Sequence, residues 1–152
     1  MTRRAVDFRT IDEAVAELDR LHTGGYEKGA NWSLGQICNH AAIFVRGSMD
    51  GFTVPPPPWY IRLIAPIFVR RMLKTRKMPE GVKLPPHLLP PATVDETKEV
   101  EELKGLLRRF ENWKQPLHKS NFGGYSDYET WKQIHLIHCA HHLGFLQPRA
   151  GA

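Results

Sequence analysis

The chain has 152 residues, a formal charge of +5 and a sequence pI near 9.4, with 41% apolar and 24% charged residues. That length suits one domain over residues 1–152 with its own core, and the composition excludes a disordered chain or a membrane channel. The positive excess is compatible with an anionic partner, but so modest an excess is read first as an ordinary solvated surface.

A recurring signal marks the helices: a Ser or Thr with Glu or Gln three residues later, just before an apolar pattern of helical period. The pairs are Thr10/Glu13, Ser33/Gln36, Thr93/Glu96 and Ser126/Glu129. Such capping boxes satisfy the orphan N–H groups of a helix start, so four helices are predicted, beginning near Ile11, Leu34, Val94 and Asp127. The first carries Ile11, Val15, Leu18 and Leu21 on one face. The second carries Leu34, Ile37, Ala41, Phe44 and Val45, and the third Val100, Leu103, Leu107, Phe110 and Trp113. The fourth carries Trp131, Ile134, Ile137 and, on a neighbouring line, Phe145. Nothing alternates with period two, so no sheet is expected.

Short connections join helices one and two and helices three and four, predicting antiparallel neighbours. Between helices two and three lies a long crossover holding ten of the twelve prolines, from Pro55 to Pro91. Its middle, Trp59 to Lys77, reads as a shorter extra helix kinked at Pro66, after a stiff Pro55–Pro58 spacer. The prediction is an all-α four-helix bundle with a long Pro-rich crossover carrying a short extra helix.

Cys38 and Cys139 are the sole cysteines and sit in apolar helical patterns, outside any disulfide framework, which favours a reducing compartment. Arg3 and Arg4 are followed by Ala5-Val6-Asp7-Phe8-Arg9, an apolar run too broken for a signal peptide. A cytoplasmic protein is therefore expected. Trp59 to Val69 is too short to span a bilayer and contains Arg62 and Pro66, so no transmembrane segment is predicted.

The fourth helix contains His135, His138, His141 and His142 within eight residues. At about 100° and 1.5 Å per residue, His138 and His142 stand roughly 40° and 6 Å apart, so both imidazoles can reach one ion. His135 lies lower on nearly the same stripe, and His141 is rotated away. A third ligand must come from another element, and His40, between Ile37 and Phe44 on the inward stripe of helix two, can supply it. Carboxylates are absent between Trp131 and Gln147, which disfavours a Glu-bearing di-iron site. Three imidazoles with open positions suit zinc, nickel or ferrous iron. The bland alternative is a hydrated histidine face, with His40 a hydrogen-bonded core residue. Cys38 and Cys139 point about 100° away from the neighbouring histidines and read as apolar fillers. Trp32, Trp113 and Trp131 read as core or cap packing.

The run Trp32-Ser33-Leu34-Gly35-Gln36-Ile37-Cys38-Asn39-His40 resembles the helix-two signature of the DinB-like (YfiT-like) superfamily, and His138-Cys139-Ala140-His141-His142 resembles its closing His-x-x-x-His. With His118 to Gly123 ahead of Trp131, the chain is most similar to a branch of that superfamily defined only as a domain of unknown function. The resemblance implies a bundle with a three-histidine divalent-metal site, His40 matching the helix-two ligand and His138 and His142 the pair. Some members are thiol-dependent S-transferases or isomerases. Many relatives follow the last ligand with Arg-Gly-Gln, where this chain has Leu143-Gly144-Phe145, so no substrate role for that arginine carries over.

Three functions follow. The leading one is a metal-dependent enzyme that activates water or a low-molecular-weight thiol for hydrolysis or S-transfer on a small-molecule substrate. His118, His135 and His141 are its candidate proton-transfer, outer-sphere or substrate residues. The second is a metal-binding or structural protein without turnover, and either allows a homodimer. The third is a surface-binding module on the crossover, where Arg62, Arg70, Arg71, Lys74, Arg76 and Lys77 meet no acidic residue between Trp59 and Met78. Beside Trp59, Tyr60, Ile64 and Phe68 this resembles a basic interfacial helix, against the alternative of a solvated lid. No sequence-specific nucleic acid is expected, because no reading motif accompanies the cations.

Overall fold

Thr10 and Ser33 open the first two helices as their spacing dictates. In the computed structural model, which describes residues 3–151, the Thr10 hydroxyl accepts from the Glu13 amide and the Glu13 carboxylate accepts from the Thr10 amide. Ser33 and Gln36 make the same reciprocal pair. The elements in order are α1 (Ile11–Gly24), β1 (Tyr26–Lys28), α2 (Leu34–Asp50), α3 (Trp59–Thr75), a 3-10 turn (Pro86–Leu88), α4 (Glu96–Glu111), α5 (Tyr128–Leu143) and β2 (Leu146–Pro148). Helices α4 and α5 are the third and fourth helices of the sequence pattern.

Those two begin slightly later than the Ser/Thr signals imply. Asp95 caps α4 by accepting from Lys98 N at 3.1 Å, and Asp127 caps α5 by accepting from Thr130 N at 2.9 Å. A carboxylate also meets the positive end of the helix dipole, so each Asp displaces the neighbouring hydroxyl as cap. Glu96, freed from a capping box, instead reaches α2.

Most of the predicted apolar stripes is buried: Ile11, Val15, Leu18 and Leu21 on α1, Leu34, Ile37, Ala41 and Val45 on α2, Val100, Leu103, Leu107 and Phe110 on α4, and Trp131 and Ile137 on α5, while Phe44, Trp113, Ile134 and Phe145 are half-buried. With Trp131, Leu136, Leu143 and others they form one hydrophobic cluster. The close helix approaches run α1 to α4, α4 to α2, α2 to α5 and α5 to α1, with α3 laid outside against α5. Helices consecutive in the chain are thus not the close pairs, contrary to the expectation from short connections. Residues 25–33 can span up to about 30 Å when extended, enough to cross the end of the bundle.

Two further corrections concern the connections. A small antiparallel ribbon does form, pairing Tyr26 with Pro148, Glu27 with Gln147 and Lys28 with Leu146. Strands of three residues leave no readable alternation. The extra helix, expected over Trp59 to Lys77, runs from Trp59 to Thr75, but with 17 residues it is as long as α2 and not shorter than the bundle helices. Pro66 lies within it, as expected. Among the described residues no helix is long and apolar enough to cross a membrane.

The start of α2 is pinned by other elements. Tyr26 of β1 donates its hydroxyl proton to Glu96 Oε2 at 2.7 Å and accepts from Leu34 N at 2.9 Å, while Glu96 Oε2 also accepts from Gly35 N at 3.1 Å. Gly35 permits this approach, because a Cβ there would lie 2.9 Å from both Glu96 Cα and Val94 Cγ2. The first of these is backbone and cannot swing aside. Gly35→Ala is expected to cost stability toward the upper part of the roughly 1–3 kcal/mol typical of overpacking. That exceeds the about 1 kcal/mol Ala gains over Gly inside a helix. Urea unfolding checks it; an unchanged midpoint would contradict so tight a contact.

Candidate metal centre

The pinned α2 carries His40 one and a half turns in, where it faces α5. Nε2 of His40 lies 3.1 Å from Nε2 of His138, and Nε2 of His142 lies 3.1 Å from the same atom. All three nitrogens fall within 4.8 Å of one another. A tetrahedral ion bonded at about 2.0–2.1 Å sets its nitrogens roughly 3 to 4 Å apart, so two edges fit and the His40–His142 edge, at most 4.8 Å, has up to about 1 to 2 Å to close. His40 and His138 are buried, and His142 is half-buried and forms the open side.

The hydrogen bonding makes the donor set explicit. His40 Nδ1 lies 2.8 Å from the Leu88 carbonyl oxygen, which can only accept, so the proton sits on Nδ1 and Nε2 presents a lone pair. Backing of a ring by a carbonyl on its far nitrogen is the usual arrangement behind a metal-binding histidine. A single N–H on His138 could satisfy only one of its two Nε2 neighbours. A shared cation would satisfy all three.

Burial pushes every one of these imidazoles below its ordinary range. For His138 the shift is large, and the neighbouring rings of His142 and His40 add to it. His142 is pushed down to about 2, by burial first and then by His40 and His141. His40 is lowered by burial, partly offset by the Leu88 carbonyl. The rings are therefore neutral at pH 7, the state a metal ligand requires.

Aromatic rings wall the cluster. Trp32 stacks on His142 with centroids 5.4 Å apart and tilts over His40 at 5.1 Å, and Phe44 meets His40 and His138 edge-on at 5.2 and 4.8 Å. The sequence reading took Trp32, directly before the Ser33 cap, as a packing residue, with a pocket wall as the alternative, and did not place it on the histidines. It also missed Leu88, because that contact spans 48 residues from the proline-rich crossover.

The other histidines lie elsewhere. His135 is buried on α5, with Nε2 3.1 Å from Ser48 Oγ and its ring stacked on Trp131, and burial pushes it down to about 3. His141 packs against His142 and Phe145, its Nδ1 buried without a partner, and burial pushes it down to about 4. His118 is exposed on the loop before α5, beside Gly51. Of the three, His141 is the one whose ring packs on a member of the cluster, His142. Cys38 and Cys139 are free and buried, and burial raises both thiols, Cys139 to about 12, so neither is a thiolate at neutral pH.

These features define a class: a helical bundle with a three-histidine cluster, two of its rings buried, able to hold a metal ion between two of its helices. The chain belongs to the family described as "Protein of unknown function (DUF1569)", which matches residues 1–149. No curated protein and no solved structure matches it.

Proposed function

We propose that His40, His138 and His142 hold one divalent transition-metal ion, zinc, nickel or ferrous iron, in an enzyme of the DinB-like type acting on a small molecule. The observation that carries this reading is the convergence of the three Nε2 atoms, with the His40 lone pair fixed inward by the Leu88 carbonyl. When bound, such an ion supplies the positive charge that makes water or a low-molecular-weight thiol a nucleophile at neutral pH, for hydrolysis or S-transfer. The chain itself contributes the rest. Leu88 orients His40, Trp32 and Phe44 pack against the imidazole rings, and the half-buried His142 borders the approach for substrate. Neither buried cysteine competes as a nucleophile. His141, adjoining His142, is the histidine best placed to exchange a proton nearby.

The test is the metal content of protein purified without a histidine tag, followed by assay against thiols with electrophiles and against hydrolysable esters. About one equivalent of metal with turnover is expected. Protein free of metal that also fails to take up zinc, nickel or ferrous ion would overturn the reading. The burial of His40 and His138 favours a second reading, a structural metal. It predicts one bound equivalent, no turnover in either panel and a large loss of thermal stability on chelation.

A further inference from the structure

We propose that α3 and the basic residues after it dock this protein on an anionic lipid bilayer, independently of the histidine site. Helix α3 buries Ala65, Val69 and Met72, which at about 100° per residue form one narrow stripe toward the bundle. Opposite them, Trp59, Leu63 and Ile67 are 71%, 69% and 68% exposed, and Tyr60, Ile64 and Phe68 are 55%, 45% and 46% exposed. Isolated surface apolar residues need no account, but six large ones in ten residues of one helix make a continuous patch of the kind that marks an interaction surface.

Charge identifies the occupant. Residues 59–78 hold six cations and no carboxylate, while the rest of the chain has 15 Lys and Arg against 16 Asp and Glu. The protein's whole positive excess therefore lies in this segment. Arg76 is turned inward, to Asp7, Gln133 and the Phe8 carbonyl. Among the described residues, Arg62, Arg70, Arg71, Lys74 and Lys77 make no ion pair.

By helical geometry Arg70, Arg71 and Lys74 continue the same outer face, roughly 10 Å along the axis from Leu63 and Ile64. An apolar half with Trp and Tyr at its tip, followed by a cationic half, suits a bilayer interface, where apolar groups enter the acyl boundary and cations meet phosphates. A second copy of the chain would bring the same cations to α3 and no carboxylate on that segment. A nucleic acid duplex offers phosphates but nothing to cover six apolar side chains. An anionic bilayer supplies both.

The test is flotation of the full chain with vesicles of phosphatidylcholine, with and without phosphatidylserine. Partition is expected on the phosphatidylserine vesicles, falling as salt rises, and much weaker on phosphatidylcholine alone. Leu63→Glu with Ile67→Glu should reduce it roughly tenfold or more. Arg70→Glu with Arg71→Glu should reduce it at least about fivefold for each cation lost. All four positions are exposed, so circular dichroism should be unchanged in both variants. The proposal is overturned by equal partition on both vesicle types, by no partition, or by partition that neither pair of substitutions alters. It is also overturned if the face proves to pair two copies, as a solution dimer that Leu63→Glu makes monomeric without vesicle binding. Duplex binding indifferent to Leu63→Glu, in place of vesicle binding, overturns it as well.

Discussion

Replacing His138 with Ala is expected to abolish metal binding, whereas replacing its neighbour His141 with Ala should leave it intact. His138 is the hub of the cluster, the one ring whose Nε2 lies 3.1 Å from each of the other two. Its loss leaves His40 and His142, on separate helices, with no ligand between them. Losing even a partner behind a ligand typically lowers metal affinity by 10–100-fold, so removal of this ligand should exceed about 100-fold. His141 buries its ring against His142 and Phe145 but contributes no nitrogen to the converging set. Titration of untagged, metal-stripped protein with zinc, read against a competing chelator, separates the two variants. Equal loss in both would mean that the fourth turn of α5 binds metal by another geometry, and retention in His138→Ala would remove the three-histidine site altogether.

Acid is expected to destabilise the metal-free protein well before its carboxylates titrate, with His135 a measurable part of the effect. In the unfolded chain this imidazole takes a proton near its ordinary value of 6.5, whereas burial holds the folded ring down to about 3. The unfolded state therefore binds the proton first as pH falls. Stability from His135 is whole above pH 6.5 and is lost progressively toward pH 3, by up to about 4–5 kcal/mol at full titration. His135→Phe removes the proton site and keeps a ring to stack on Trp131, while the Ser48 hydroxyl retains its bond to the Val45 carbonyl at 2.7 Å. Urea unfolding from pH 7 to pH 4 should show a slope shallower in the variant by about 1.4 kcal/mol per pH unit below pH 6. Identical slopes would mean that His135 is solvated or protonated in the folded state.

Burial that weakens the base also explains why α5 can hold so many histidines. From His135 to His141 the helix is buried on all sides, a setting that would be costly for charged imidazolium. Neutral rings instead stack on Trp131 and meet Phe110 and one another edge-on.

The four bundle helices were legible because capping and apolar periodicity are local: Thr10 with Glu13, Ser33 with Gln36, and stripes at three- and four-residue spacing act within one turn. The pairing of His138 with His142 was legible for the same reason, since one helical turn fixes their directions whatever surrounds them. The approach of His40 was an expectation that local rules could permit but not place. It depends on α2 packing alongside α5, on Glu96 and Tyr26 anchoring the first turn of α2, and on the Leu88 carbonyl behind the ring. Sequence separation hides such contacts, because any of several compact arrangements buries the same stripes. The ribbon joining Tyr26 to Pro148 and the outward apolar face of α3 were likewise decided by tertiary structure. A three-residue strand carries no periodicity, and an apolar residue in the sequence does not say whether a neighbouring helix is there to cover it.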